Sequence, residues 1–338
     1  MPRLIVVLIY FLLCCHLSNA QDYITILDSG HKTSLRGLSI VNDNVIWASG
    51  SNGAVVRSTN GGKTFEWLTV KGYELRDFRD IEAFDENAAL IMAIAEPAII
   101  LKTKDGGQSW YKVFEDTTKG MFLDAMDFDG VGAVIGDPIN GTAFFATTID
   151  DGETWYANKF MKVSLFEGEA FFAASGSNIK IVKHGDVSFP IFVTGGKKSR
   201  VIITGKPFEL DILQGSESQG ANSISIYTNK TAVIVGGDFK NDTISQNNCV
   251  IIRFQKDSMP NFIMPETPPH GYRSCVAYIT EDKLITCGTS GVDISNDSGM
   301  NWKLISNQSF HVCQKAKKGD TVFLAGADGK IAKLEPAR

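Results

Sequence analysis

Four stretches of this chain follow one eight-residue turn pattern, Ser/Thr-x-Asp-x-Gly-x-x-Trp: STNGGKTF at 58–65, TKDGGQSW at 103–110, TIDDGETW at 148–155 and SNDSGMNW at 295–302. The first three begin 45 residues apart, and the gap of 147 to the fourth is three further steps of 49. A fixed period of that length means repeated supersecondary units, each burying its apolar face only against its neighbours. Asp105, Asp150 and Asp297, with Asn60 at the same place in the first copy, are suited to accept hydrogen bonds from turn N–H groups, while the glycines supply positive φ. Trp110, Trp155 and Trp302 then open the next strand and bring large buried area. Together with Ser58, Thr103, Thr148 and Ser295, these positions are expected to be scaffold.

Between the turns run short β-rich segments with almost no helical periodicity. The first unit reads as four strands, LRGLSIV, NVIWASG, AVVRST and FEWLTV, with the turn between the third and fourth. Similar units begin near Phe78, Phe122, Gly168, Ala221, Tyr272 and Phe310. The last unit runs out after three strands, and 23–27 (YITIL) can supply the fourth, closing a ring and leaving only short edges.

The turn resembles the Asp-box, or bacterial neuraminidase (BNR) repeat, of β-propellers. With the surrounding text (RGLSIVNDNVIWASGSNGAVVRSTNGGKTF, FRDIEAF, LKTKDGGQSW), it resembles the photosystem II stability/assembly factor-like family, related to the sialidase superfamily. The resemblance covers about residues 23–160 and 270–338. It implies an all-β fold: a seven-bladed β-propeller of four-stranded antiparallel blades, closed by an N-terminal strand joining the last blade. It also implies a client polypeptide held by an arginine patch, for which Arg36, Arg79 and Arg273 are the matching positions.

The N-terminus carries Arg3, an apolar run over 4–13 and a small-residue exit at Ser18-Asn19-Ala20. Ten apolar residues are too few to span a bilayer, so 1–20 reads as a cleaved secretory signal and 21–338 as one propeller domain, secreted or periplasmic. With 33 Lys and Arg against 38 Asp and Glu, the net charge of −5 argues against nucleic-acid binding. No integral membrane span and no cofactor are expected, and a ring with protected edges is expected to be a monomer. Cys275 and Cys287 sit nearly opposite each other on a hairpin; they are the first candidates for a disulfide, against the alternative of free buried thiols. Asn140, Asn229, Asn241 and Asn307 begin Asn-x-Ser/Thr sequons, which matter in a eukaryotic secretory pathway. The oxygen-rich 238–242 (DFKND) is a flag for calcium, but no metal site is otherwise expected.

Aligning the starts of the innermost strands brings seven polar residues to one mouth of the central channel: Arg36, Arg79, Asp124, Glu169, Asn222, Arg273 and His311. Glu96, Asp137 and Asp238, from loops after the second strands, should face the same way. Apolar residues are the cheap filling of a channel wall; gathered charges shift one another's pKa and focus field, as binding sites do. The main expectation is a module that recognises a protein client or an anionic small ligand on this face. The alternative is a sialidase-like glycoside hydrolase acting on acidic glycans, with Arg36, Arg79 and Arg273 imitating an arginine triad and Asp124 and Glu169 as candidate catalytic acids. Metalloprotease, serine-hydrolase, P-loop and dinucleotide signatures are absent from the sequence.

Overall fold

The computed structural model describes residues 22–157, 161–185, 187–228, 230–255 and 258–335; the leader expected at 1–20 and the sequon at Asn229 lie outside the described residues. Seven antiparallel sheets follow one another round a ring. Blade 1 is Leu35–Ile40, Ile46–Gly50, Ala54–Ser58 and Glu66–Thr69, and blade 2 is Phe78–Ala83, Ala89–Ala93, Ala98–Thr103 and Tyr111–Asp116. Blade 3 opens with Leu123–Phe128, blade 4 with Ile179–His184, blade 5 with Gln219–Tyr227 and blade 6 with Cys275–Tyr278. Blade 7 takes Val312–Lys315, Val322–Ala325 and Ile331–Glu335 from the C-terminus, and its outer strand, Tyr23–Asp28, from the N-terminus. Tyr23 pairs with Glu335 and Asp28 with Ile331, so both ends of the described chain are locked in one sheet. The innermost strands of blades 1 and 7 touch, which completes the ring. Among the described residues no helix is long and apolar enough to cross a membrane.

The repeated turns join blades as well as strands. In blade 2 the Thr103 hydroxyl donates to Asp105 Oδ1 (2.8 Å) and accepts from the Gly107 N–H (3.0 Å), while Asp105 accepts from the Ser109 N–H (2.9 Å). The pattern repeats at Thr148–Asp150 and Ser295–Asp297, and at Ser58–Asn60 in the first copy. Hydrogen bonds led by that from the Ser109 hydroxyl hold Asp105 at about 2. A side chain at Gly107, where φ is +89°, would strike Leu68 and Trp47 of the preceding blade, and one at Gly299 would meet Val233 and Ile251. The glycine is therefore required by φ and by close blade packing at once.

The inter-blade layers are apolar. Trp302 is buried among Val233, Val235, Ile251, Val276 and Leu284 between blades 5 and 6. Trp110 and Trp155 pack at the corresponding earlier joints. Burying such a side chain is worth about 1.5–3 kcal/mol against leaving it exposed, so stacking carries the ring.

Two expectations are corrected here. The Cys275–Cys287 disulfide is not formed: the two residues are direct cross-strand partners, yet all four described cysteines are free and buried. The Cys275 thiol turns to the next blade and donates to the Cys313 carbonyl (3.2 Å), accepting in turn from the Ser177 hydroxyl (3.5 Å). The unit placed near Gly168 does not start there. Glu169–Ala170 is a two-residue strand at the margin of blade 5's sheet, reached through Gly195–Gly196, and the innermost strand of blade 4 begins ten residues later at Ile179. Blade 4 has no box because its last two strands, Arg200–Ile203 and Lys206–Glu209, are joined by Thr204 and Gly205. Both have positive φ, as a two-residue hairpin demands. Asn140, Asn241 and Asn307 are exposed.

Candidate functional site at one mouth of the channel

The mouth at which the innermost strands begin, here the upper mouth, is shaped by a recurring backbone irregularity. In blades 1, 2, 3 and 5 the register between the first two strands slips at one residue, and that residue is Arg36, Arg79, Asp124 and Asn222 respectively. A bulge leaves its extra residue out of the ladder and re-aims its side chain. Here it turns four polar side chains into a cavity of about 420 Å³, which His311 of blade 7 also lines. By the antiparallel order, the Asp-box turns lie at the opposite end of the blades.

Arg36 donates to the Ala174 carbonyl (3.2 Å), and among the described residues it makes no ion pair. Arg79 donates to Asp77 (2.8 Å) and reaches the Ala173 carbonyl (3.5 Å). Burial, and then the charge of Arg79, lower the pKa of Arg36, so two guanidinium groups sit close enough to repel. Burial, then the charges of Arg36, Arg79 and Lys330, hold the His311 imidazole down at about 3, so it is neutral at physiological pH. The Tyr272 hydroxyl donates to Asn222 Oδ1 (2.9 Å). Phe172, Phe239 and Tyr272 form a run of edge-to-face rings along one side, with centroids 6.0 and 6.2 Å apart. Asp124 is fully buried, and burial holds its carboxyl well above the usual range, with the nearby Asp137 adding to the effect.

Two residues expected at this rim are elsewhere. Glu169 is 2% exposed and forked by Arg200, whose Nε and Nη2 donate to its two oxygens at 2.8 Å each, with Thr194 donating at 2.6 Å. Arg273 is fully buried and donates to Asp293 through Nε (2.7 Å) and Nη2, while the Asp293 carboxylate also holds the His270 ring (2.7 Å). Neither borders the cavity, so the arginine triad is not assembled and Glu169 does not face Asp124 as a second acid. Ser274 stands where Arg273 was aligned: the Arg273 N–H bonds back to Gly236 of the preceding blade as those of Phe310 and Leu35 bond to Gly288 and Gly326, putting Ser274 level with His311 and Arg36. Asp137 lines the cavity; Glu96 is exposed on a loop where it accepts from the Gly120 N–H (3.1 Å). Asp238 does not line it either. Its oxygens are taken by Lys240, Asn241 and Gln219, and no group of residues suited to a metal occurs among the described residues.

Sequence reasoning missed the strip at 171–174. Its carbonyls meet both arginines and Phe171 and Phe172 wall the cavity, and its only signal was an aromatic pair in a region without a box.

Comparison with known proteins agrees with this architecture. The family model for the photosynthesis system II assembly factor YCF48 matches residues 19–160. No curated protein matches the sequence. Among solved structures, YCF48 from Cyanidioschyzon merolae superposes with a TM-score of 0.66 at 15% identity, over 93% of this chain and 99% of its own. A structure described as YCF48 bound to D1 peptide gives 0.62 at 16% identity over 93% and 95%. The Neurospora crassa Pan2 WD40 domain follows at 0.60 and 12% identity, over 94% and 97%. Residues 19–160 thus match the model of the YCF48 photosystem II assembly-factor family, and over 93% of its length the chain has the fold of two solved YCF48 structures.

Proposed function

We propose that this propeller is an assembly-factor-like binding module that holds a client polypeptide at its upper mouth, with Arg36 and Arg79 receiving an acidic group of the client. The observation that carries the reading is the pair of converging guanidinium groups, one of them without an ion-pair partner among the described residues, over a cavity walled by aromatic rings. Unpaired arginine forks match carboxylates through parallel N–H donors. The resemblance to YCF48 supports the same kind of partner, since one of the similar structures is of YCF48 bound to a peptide. The client meets the protein outside the cytosol, as the leader-like N-terminus suggests; N-terminal sequencing of protein from its source should begin near Gln21.

The test is binding of acidic peptides to the full chain and to the Arg36→Ala/Arg79→Ala double variant. Loss of two charge-assisted contacts should weaken binding by about 100-fold with folding intact. Undiminished binding by the double variant, or release of sugar from acidic glycosides at this face, overturns the reading.

A further inference from the structure

The anion-binding reading leaves two carboxyl groups of the upper mouth unused. Asp124 is fully buried and borders the cavity, and neither of its oxygens accepts a well-formed hydrogen bond, although the Asp137 and Ala173 N–H groups approach it. The Asp137 N–H that faces it already donates to the Phe122 carbonyl (2.9 Å). Asp137 borders the same cavity and gives one oxygen to the Phe171 N–H (3.0 Å). Around this pair, Arg79 approaches from blade 2, Arg36 and neutral His311 stand farther round the rim, and Asn222 and Tyr272 are engaged with each other. A buried carboxyl without well-placed donors is costly unless it keeps its proton or a ligand brings donors to it.

Resting on the client reading above, we propose that the cavity is a two-part site: a lysine side chain of the client enters it and donates its ammonium hydrogens to Asp124 and Asp137, while a neighbouring acidic group of the client stays on Arg36 and Arg79. The chemistry selects that pairing. A lone cation is repelled by two guanidinium groups, and a lone anion leaves Asp124 unsatisfied; a client with both charges side by side answers both halves. An ammonium is a compact charge with three donors, suited to two neighbouring carboxyls, whereas a guanidinium pairs best with one carboxylate in its own plane. The rings of Phe172, Phe239 and Tyr272 suit the methylene stem, which prefers apolar surface. Because burial keeps Asp124 protonated to higher pH than an ordinary carboxyl, arrival of the ammonium displaces that proton to solvent: carboxylic acid and ammonium become carboxylate, ammonium and one released proton.

The probes are three capped dipeptides, N-acetyl-Glu-Lys-amide, the same with the lysine Nε acetylated, and N-acetyl-Gln-Lys-amide, titrated calorimetrically into the full chain near neutral pH in two buffers of different protonation enthalpy. Acetylating the lysine should weaken binding about tenfold or more and abolish proton release. Asp124→Asn, close in shape and as neutral as the protonated acid, should lower the parent dipeptide to the level of the acetylated one and leave the acetylated one within roughly twofold. If the acetylated dipeptide binds as tightly as the parent, or Asp124→Asn does not separate them, the lysine site is wrong. If at the same time binding still needs Arg36 and Arg79, the client reading stands; binding of none of the three ends both.

Discussion

The two mouths of the channel are built from the same kinds of residue and treat their charges in opposite ways. At the lower mouth, where the innermost strands end, Lys180 bonds Asp127 (2.7 Å), and Lys317 bonds Glu82 (2.5 Å), the Ser39 hydroxyl (3.1 Å) and the Ala83 carbonyl (2.9 Å). Asp80, buried between them, accepts the N–H groups of Ile81 (2.8 Å) and Met126 (2.7 Å). At the upper mouth Arg79 is paired with Asp77 (2.8 Å), but Arg36 has only a carbonyl and Asp124 accepts no well-formed hydrogen bond. A propeller can neutralise a polar channel wall with its own groups, as the lower mouth demonstrates. The incomplete neutralisation of the upper mouth, at Arg36 and Asp124, is therefore a property of that face and not of the fold.

The largest effect that tests this contrast comes from a charge locked beside the upper mouth but outside the cavity. Arg273→Met leaves Asp293 buried with only the His270 ring and N–H beside it and should cost about 3–5 kcal/mol in denaturant unfolding. Arg36→Ala removes one carbonyl contact and relieves repulsion from Arg79, so its cost should stay within about 0.5 kcal/mol. Equal losses in the two variants would mean that Arg36 is structural, and the contrast would fail.

A pH titration of stability sharpens the same comparison. His311 sits at about 3 when folded, against its ordinary 6.5. Between those values the unfolded chain binds the extra proton, so stability rises with pH and is lost as pH falls from about 6.5 towards 3. Asp124 works in the opposite sense: its raised pKa lets the folded chain hold a proton that the unfolded chain has given up, and stability declines as pH rises through that window. Replacing His311 with Gln should recover about 3 kcal/mol of the acid loss measured between about pH 7 and pH 4. An unchanged acid loss would show that His311 is not held neutral by its burial beside the arginine rim.

A smaller cost is expected at the lower mouth. Lys317 is partly exposed, so solvent screens its pair with Glu82, and Lys317→Met should lose about 1 kcal/mol. Client binding at the upper mouth should be unaffected; if it falls, the two ends of the channel are coupled and cannot be assigned separate roles.

How far these regions were legible from sequence depended on whether a repeated turn marked the blade. The ring, the number of blades and the closure of Val312–Lys315, Val322–Ala325 and Ile331–Glu335 by Tyr23–Asp28 follow from box spacing and strand runs, because each box fixes where its neighbouring strands begin. In blades 1 to 3 this put Arg36, Arg79 and Asp124 at the right level, although nothing in their sequence announced that a bulge would aim them inward. Blade 4 has no box, and Glu169 lies 45 residues after Asp124 by coincidence, in a segment ahead of Ile179 whose residues 171–174 border the mouth. Blade 6 has a box, yet the alignment slipped by one residue at Arg273, because a one-residue shift at the start of a short strand leaves the turn spacing intact. Such a shift changes which side chain faces the channel.

The smallest expected effect is none at all, and it concerns the wall between the two mouths. Cys275 and Cys313, from adjacent blades, border the lower part of the channel, yet their side chains are fully buried. Cys275 and Cys287 share a cross-strand register that would bring bridging within reach, but the Cys275 thiol is committed to the Cys313 carbonyl. A disulfide needs both Cβ–S vectors directed at each other, and here the hydrogen bond directs one of them at the neighbouring blade. Alkylation of the native protein, followed by unfolding without reductant and a second, isotopically distinct alkylation, should label Cys249, Cys275, Cys287 and Cys313 only in the second step. A missing Cys275 or Cys287 label in both steps would reveal a bridge, and labelling of Cys275 in the first would show that the lower mouth opens far more than its paired charges imply.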